Sequence, residues 1–384
     1  MASREPDRVV IETDRGVFDR FQRAELVHDL FDTATASFEI GDDGTWRELE
    51  RIVAPGEPFR VYLHPGGRDR RLLMTGRAEV NEVPCDAQGG TVVQLTCRTK
   101  MADARYASAA PKTRFTKTTI KDFLLALYAP LGYGPKDFYF SDVGDADLVT
   151  GVTKGGKKPA APLEPIKADQ LKVNPPETIF EAANRILKRH HALHYDGADG
   201  SIVVGAPDGN APPRYRFRCK RGAAAAGNNI LKAKRTKDWS EAAGEVWVFG
   251  GGATKDVTRA AVAGVSVDLD LAVVAAARGH FVRKVLIPAE GTSTRDLADA
   301  QARRERMARA KRKDAWEIDV DGWTYWDGSD SVPLYINVVA DVDVETVGGS
   351  ATGHYVVTRV ARHLSADEGA LSSLTLVAPD VLEI

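Results

Sequence analysis

The chain has 384 residues, of which 43% are hydrophobic and 28% are charged, and 52 Lys and Arg residues nearly balance 54 Asp and Glu residues. This length is enough for two or three domains of ordinary size. The net charge of −2 excludes a strong overall attraction to nucleic acid or to an anionic membrane. No run approaches the ~20 apolar residues of a membrane helix, and residues 1–12 lack the apolar core of a signal peptide. We therefore expect a soluble protein made in the cytoplasm.

The three cysteines have no metal-type CxxC spacing. Cys85 and Cys97 could face each other across a hairpin, but free thiols of a chain folded in the cytosol are the favoured interpretation.

Residues 1–104 are rich in short alternating apolar segments. Val9 and Ile11 alternate with polar neighbours, as do Phe38 and Ile40, and turn sequences follow at 42–44, 65–67 and 88–90. Regularly spaced short strands with glycine turns predict a small antiparallel barrel or sandwich. We expect residues 23–34 to form a short helix or an irregular connection.

Residues 105–212 change to a helical period. Thr118 or Thr119 can cap a helix that ends at residues 130–132. A loop rich in Gly, Lys and Pro is predicted at 144–165. Residues 174–205 then predict a helix opened by Pro175 and Pro176, followed by a β-hairpin whose turn lies at 196–200.

Residues 213–384 return to β patterns, with strands expected at 230–235, 245–250, 262–274, 281–287, 315–321, 334–342, 355–364 and 371–377. Thr292, Ser293 or Thr294 can cap one long helix, predicted at 294–313. The sequence therefore predicts an α+β protein. Two antiparallel β-barrel-like domains, 1–104 and 213–384, flank an α/β insert at 105–212.

The candidate chemical motifs are incomplete. His190 and His194 could share a helix face with His191 between them, but no third ligand follows, and we expect the helix to end before His194. The run Lys154–Lys158 lacks the spacing of a phosphate loop, and Pro159 prevents an immediate helix. No serine elbow or Cys/His signature is present. We therefore expect no catalytic residue, metal or cofactor.

The predicted long helix is strongly basic in its second half. Arg303, Arg304, Arg306 and Arg309 precede a Lys-Arg-Lys run at 311–313, against the single acid Glu305. One interpretation is a solvated face whose cations suit the negative end of the helix dipole. The other is a contact with phosphates or with an acidic partner surface. The four arginines are the candidate partner-contact residues.

Four blocks of the sequence together resemble a known family. They are TCRTKMADA at 96–104; PETIFEA at 176–182 with the hairpin at 195–205; NIL at 229–231, KDWSE at 237–241 and the strand at 246–250; and the strand–helix–strand at 282–323 with the closing strands up to Pro379. Cys97 and Met101 depart from the first block without changing its character. In this order the blocks resemble the baseplate hub proteins of contractile phage tails, the Mu-like and late-control protein D group.

The resemblance implies a homotrimer whose two barrel-like domains per subunit form a six-fold-like ring. Such a ring joins a trimeric tail spike to the six-fold tail tube, with baseplate wedge proteins as further partners. DNA passes through its lumen without specific binding, and the protein is part of the virion after synthesis in the host cytoplasm. The resemblance implies no cofactor, no active site and no membrane contact.

Three alternatives stay open at the level of sequence. First, a hub protein of this kind could belong to a phage, a prophage or a tailocin. A tail-associated enzyme that degrades cell-wall polysaccharide belongs to a different class, but no Glu/Asp pair suggests it. A nucleic-acid-binding protein that uses the basic helix is disfavoured by the neutral net charge.

Overall fold

The structure, a computed structural model, describes residues 7–41, 54–65, 69–82, 85–86, 90–109, 119–140, 173, 176–189, 192–205, 209, 211–222, 227–250, 262–277, 283–288, 295–310, 314–326, 331–346, 349–367 and 369–382. The predicted loop at 144–165 and the Lys154–Lys158 run lie outside these residues, as do His190 and His191.

The N-terminal β region contains eight strands: β1 (Arg8–Thr13), β2 (Gly16–Phe18), β3 (Arg23–Asp29), β4 (Thr35–Gly41), β5 (Pro58–His64), β6 (Arg71–Glu82), β7 (Cys85–Asp86) and β8 (Gly90–Thr99). Side chains alternate between the core and the outside, as the sequence predicted. On β4, Ala36, Phe38 and Ile40 are buried while Ser37 is exposed. This alternation follows from the two-residue period of a strand.

Residues 23–34 are not a helix, and that expectation is wrong. Strand β3 occupies Arg23–Asp29, with Ala24 and Leu26 buried at every second position. Strand β3 pairs on one side with the next strand, β4, and on the other side with Arg359–Ser365 of β21, over 300 residues away in the chain. Local sequence gives little indication of such a distant pairing.

The α/β insert follows a 3-10 turn at Lys100–Ala102. It contains α1 (Asp103–Tyr106), α2 (Ile120–Tyr128), β9 (Phe138–Phe140), α3 (Ile179–Arg189), β10 (Leu193–Asp196) and β11 (Ile202–Gly205). The Thr119 hydroxyl accepts the Asp122 N–H at 3.1 Å, which confirms one of the two predicted caps of α2. Strand β11 is central, antiparallel to β10 and parallel to β9.

Helix α3 begins at Ile179 rather than at the two prolines. Thr178 and Glu181 form a reciprocal capping box, because Thr178 Oγ1 accepts the Glu181 N–H at 3.2 Å and Glu181 Oε2 accepts the Thr178 N–H at 2.9 Å. The cap fixes the helix start three residues after Pro176. The predicted hairpin is confirmed, and so is the helix end before His194.

The described part of the C-terminal region forms eleven strands and two helices. The strands are β12 (Tyr215–Cys219), β13 (Lys232–Thr236), β14 (Glu245–Gly250), β15 (Val262–Val267), β16 (Lys284–Pro288), β17 (Ala315–Asp321), β18 (Thr324–Trp326), β19 (Ser331–Pro333), β20 (Val338–Thr346), β21 (Gly349–Ser365) and β22 (Gly369–Val377). The helices are α4 (Leu269–Ala277) and α5 (Arg295–Ala310), and a 3-10 turn follows at Pro379–Val381.

Two element boundaries in this region differ from the sequence prediction. The apolar segment 262–274 is a strand only to Val267, because Asp268 caps α4 by accepting the Leu271 N–H at 3.0 Å. Helix α5 runs over Arg295–Ala310 of the predicted 294–313, and residues 311–313 lie outside the described chain.

A single 14-stranded sheet connects the two β regions. Its link is the 17-residue strand β21, which pairs with β20 along its first half and with β3 over Arg359–Ser365. The protein is thus mostly antiparallel β with several helices, as the α+β prediction states. Closed barrels are not confirmed, because no sheet formed by the described strands closes on itself.

Cys97 and Cys219 are free, as predicted. Cys97 is buried, which raises the pKa of its thiol far above the ordinary value. Cys85 lies opposite Thr91 rather than Cys97.

Residues 227–231 bridge the outer edge of β12 to β17, and we call this segment the seam. Asn229 Oδ1 accepts the Arg218 N–H at 2.8 Å, and Asn229 Nδ2 donates to the Arg216 carbonyl at 2.7 Å. The Leu231 N–H donates to the Asp319 carbonyl at 2.8 Å. Side-chain amides here take the place of a neighbouring strand, which protects an edge that could otherwise pair with another chain.

Replacing Asn229 by Ala should lower the free energy of unfolding by about 1–2 kcal/mol, because two edge hydrogen bonds are lost at a partly solvated site. Asn229→Asp keeps the size and the acceptor for the Arg218 N–H but sets a carboxylate oxygen against the Arg216 carbonyl oxygen, so we expect a loss at least as large. Urea denaturation measures both, and light scattering tests whether the uncovered edge promotes aggregation. Equal stability of all three proteins would show that the seam does not hold β12.

Candidate partner interface

Helix α5, which carries the four candidate arginines, is fixed on one face of the sheet β15-β14-β16. Ala298 and Ala302 pack against Val246 and Val248. The backbones approach so closely at Gly264 that a Cβ there would lie 2.0 Å from the Ala298 carbonyl carbon. Asp299 Oδ1 accepts the Val265 N–H at 2.7 Å. The helix therefore has one fixed rotation on the sheet.

The four candidate arginines do not share one environment. Arg303 is exposed, and the side chain of Arg304 lies outside the described part of the structure. Arg306 is used within the chain, since its Nε donates to Ser266 Oγ at 2.9 Å and its Nη1 lies 3.6 Å from Asp268 Oδ2. Arg309 Nε lies 3.9 Å from Glu305 Oε2, too far for a hydrogen bond. Arg303 is therefore the described arginine best placed for a partner.

Arg306 and Arg303 provide a matched pair of variants. Arg306→Gln should cost about 1–3 kcal/mol of unfolding free energy, because the Asp268 carboxylate is only 4% exposed and would lose its cation. Arg303→Gln should change stability by less than about 0.5 kcal/mol, as is usual for surface positions. Chemical denaturation of both variants makes the comparison.

If Arg303 meets an acidic partner, the Arg303→Gln protein should fold normally but assemble poorly. Wild-type assembly should also weaken with salt, because screening acts within roughly 8–10 Å at ordinary ionic strength. If Arg303→Gln assembles as well as wild type at every salt concentration, this face of α5 is simply exposed to solvent and binds no partner through Arg303.

His194 is a buried core residue on β10. Its ring packs against Tyr128 at 6.0 Å and Phe180 at 4.7 Å between centroids. Burial, aided by the Arg105 guanidinium, lowers the pKa of His194 to about 3. Among the described residues, no group of three or more His, Cys, Asp or Glu side chains could hold a metal ion.

Strand β10 connects the insert to both β regions. Asp196 Oδ2 accepts the Ala34 N–H at 2.8 Å, and the Asn337 amide donates to the Tyr195 hydroxyl at 3.2 Å. Asn337 has φ of 56°, an uncommon left-handed conformation that Asn tolerates better than most residues. Burial raises the pKa of Asp196 to about 7, against the opposing effect of its hydrogen bond from Ala34.

A buried cation lies where the two β regions meet. Arg362 on β21 is 1% exposed and donates to the carbonyl of Leu334 and to His28 Nδ1, the latter at 3.0 Å. His28 Nε2 in turn lies 3.1 Å from the Leu73 carbonyl, which assigns the Nε2–H tautomer. Burial and Arg362 lower the pKa of His28 to about 3, and burial lowers that of Arg362 to about 10.

These junction residues were not predicted from the sequence. Asp196 was assigned to a hairpin turn, and Arg362 was placed in a strand with no special role. A charged residue within the strand VTRVARHLS is the one available signal, but it does not reveal whether Arg359 or Arg362 points inward.

A groove of about 640 Å³ lies beside the seam and is lined in part by Arg216, Arg218, Tyr325 and Trp326. Several of its polar groups already have internal partners. The Tyr325 hydroxyl accepts the Arg216 N–H at 3.0 Å, and the seam amides bind β12. We assign no ligand to this groove. No described helix is both long and apolar enough to cross a membrane.

Comparison with known proteins shows similarity in structure alone. No family model matches the chain, and no curated protein matches it. The 43 kDa tail protein of prophage MuSo2 from Shewanella oneidensis has 16% identity and a TM-score of 0.73, over 98% of this chain and 99% of that one. A tail protein from Neisseria meningitidis MC58 has 17% identity and a TM-score of 0.74, over 98% of both chains.

A protein described as a component of the type VI secretion system in E. coli, similar in structure to the T4 bacteriophage tail proteins gp27 and gp5, is more distant. It has 9% identity and a TM-score of 0.53, over 96% of this chain and 76% of that one. From end to end, this chain has the fold of phage tail proteins.

Proposed function

We propose that the protein is the structural hub of a contractile phage-tail baseplate, a homotrimeric ring that adapts a three-fold spike to a six-fold tail tube. The observation that carries this proposal is the end-to-end match in fold to two phage tail proteins, each covered over 98% or more of its length. The sequence blocks described above resemble the hub family in particular, which supports the finer assignment.

The geometry of the two β regions suits this role. One sheet runs through both regions by way of β21, and Arg362 and His28 join them inside, so the two regions are held at one fixed spacing. Three copies then present six β units, and head-to-tail contacts that close by rotation produce such rings. The unit boundaries in this proposal are 1–104, 105–212 and 213–384.

The proposed partners are a second and third copy of the chain, the spike, the tube and baseplate wedge proteins. DNA would cross the lumen without specific binding, which suits a chain with net charge −2. The same part would serve in a tailocin or a related injection machine. No observation favours the alternative of a cell-wall-degrading enzyme.

Light scattering of the protein mixed with its spike tests the oligomeric state. We expect a mass equal to three copies of the 41.7 kDa chain plus one spike trimer. A stable monomer or dimer in that mixture would contradict the proposal.

A further inference from the structure

Among the described residues, helix α5 packs on one face of the sheet β15-β14-β16. Val246 and Val248 face α5, whereas Trp247 and Phe249 alternate with them and face the other way. Strand register places Val265 and Leu286 on either side of Trp247. We call this second surface, formed by Trp247, Phe249, Val265, Val267 and Leu286, the open face.

The open face is apolar and exposed. Leu286 is 64% exposed, Val267 42% and Phe249 36%. Glu245 and Lys284, which lie at its border, pair with each other at 3.0 Å. Strands that are apolar on both sides are typical of sheets covered on both faces, whereas a solvated face normally alternates to polar residues. The composition of the open face therefore indicates that another surface covers it.

Helix α4 has a complementary feature, which is an apolar stripe exposed to solvent. Its sequence is LDLAVVAAA, and Leu269, Val273 and Ala277 are exposed on one stripe at a spacing of four residues. Leu269 is 73% exposed and Val273 67%, although helices that are apolar all round are normally buried. The start of α4 is fixed by Asp268, which caps it and pairs with Arg306 on α5. The stripe is thus held in a defined position.

A second copy of the chain can cover both apolar surfaces. Each copy has a sheet face without a helix and a helix stripe without a sheet, and a helix packed on a sheet is a stable layer arrangement. Leu269, Val273, Leu286, Val267 and Phe249 each keep at least 36% of their surface exposed, and grouped exposed apolar side chains of this kind mark interaction sites.

We propose that the α4 stripe of one copy packs on the open face of the next copy. This contact is heterologous, and such contacts form a closed ring when the rotation between successive copies closes. The inference rests on the proposed homotrimer and names the surfaces that form it.

Two charge substitutions at exposed positions test the contact. Leu286→Glu disrupts the open face and Val273→Glu disrupts the stripe, while both should leave the monomer folded because each side chain already faces solvent. Leu231→Glu is the matched control, since Leu231 is 63% exposed on the distant seam. Circular dichroism checks folding, and light scattering with and without the spike measures mass.

We expect wild type and Leu231→Glu to reach the trimer mass and each of the other variants to remain monomeric. An equal mixture of Leu286→Glu and Val273→Glu should give a dimer, because one intact stripe then meets one intact face. If both variants assemble like wild type, the contact lies elsewhere and the hub proposal stands. If the mixture stays monomeric while wild type forms trimers, the stripe-to-face pairing is wrong. If wild type itself never forms a trimer with the spike, the proposed homotrimer fails.

Discussion

Replacing Arg362 by Ala is expected to lower the free energy of unfolding by about 2–5 kcal/mol, because it removes the donor to two buried acceptors at the junction of the two β regions. The substitution leaves His28 Nδ1 and the Leu334 carbonyl without their donor in a buried site. Each such loss costs about 1–3 kcal/mol, and the vacated volume adds a cavity term.

Arg359→Ala is the control for this experiment. Arg359 lies three residues earlier on β21, has a 44% exposed side chain and is 4.0 Å from Asp29. An exposed ion pair contributes about 0–1 kcal/mol. Urea denaturation of both variants compares the two positions, and similar values for Arg362→Ala and Arg359→Ala would contradict the buried junction.

A double-mutant cycle separates lost hydrogen bonds from lost volume. Arg362→Met fills much of the space but leaves the His28 acceptor unpaired, so it should still destabilise the protein. Adding His28→Phe removes that acceptor, although the Leu334 and Leu73 carbonyls then both lack a donor, so the double variant should still be less stable than wild type. We therefore expect the double variant to be more stable than the sum of the single changes predicts.

Asp196→Asn is expected to remove a pH dependence of stability between about pH 4 and pH 8. The pKa of Asp196 is raised to about 7 in the folded protein, chiefly by burial. A carboxyl with a raised folded pKa contributes stability that is fully present below its unfolded pKa and is lost as pH rises through the folded pKa. The shift from 3.8 to about 7 corresponds to about 4 kcal/mol.

The difference in unfolding free energy between Asp196→Asn and wild type, measured across pH, gives the contribution of the Asp196 carboxyl. Asn can still accept the Ala34 N–H, so the variant should match wild type near pH 4 and exceed it above pH 7. A difference that stays constant with pH would show that Asp196 does not titrate in this range.

His28 and His194 change the pH dependence of stability in the opposite direction from Asp196. Their lowered folded pKa values, both about 3, give stability that is present above about pH 6.5 and lost as pH falls toward 3. The two windows overlap, and two histidines outweigh one carboxyl, so these three groups together should make wild type gain stability as pH rises from about 4 to about 6.5 and change little above pH 7, as urea denaturation across pH would show.

Local signals in the sequence predicted most elements of the fold but not its long-range pairing. The Thr119 cap and the alternation of Ala36, Phe38 and Ile40 concern neighbouring residues, and these predictions are confirmed. Strand β3 is short and pairs with both the neighbouring β4 and the distant β21, and the second of these pairings leaves no local signal. The closed barrels were not confirmed for a related reason, since periodicity shows that strands exist but not which strand each one meets.

The basic helix shows the same limit for the candidate site. Sequence grouped Arg303, Arg304, Arg306 and Arg309 by charge, but only the rotation of α5 on the sheet shows that Arg306 faces Ser266 and Asp268. Likewise, the apolar sequence of α4 indicates a buried segment without showing that its stripe faces outward. Tertiary packing supplies this information.

Negative-stain images of the purified protein bound to its spike test the central claim most directly. We expect class averages with a three-fold ring made of six similar lobes, seated on one end of the spike. Single particles of monomer or dimer size, or a spike without a ring at either end, would contradict it.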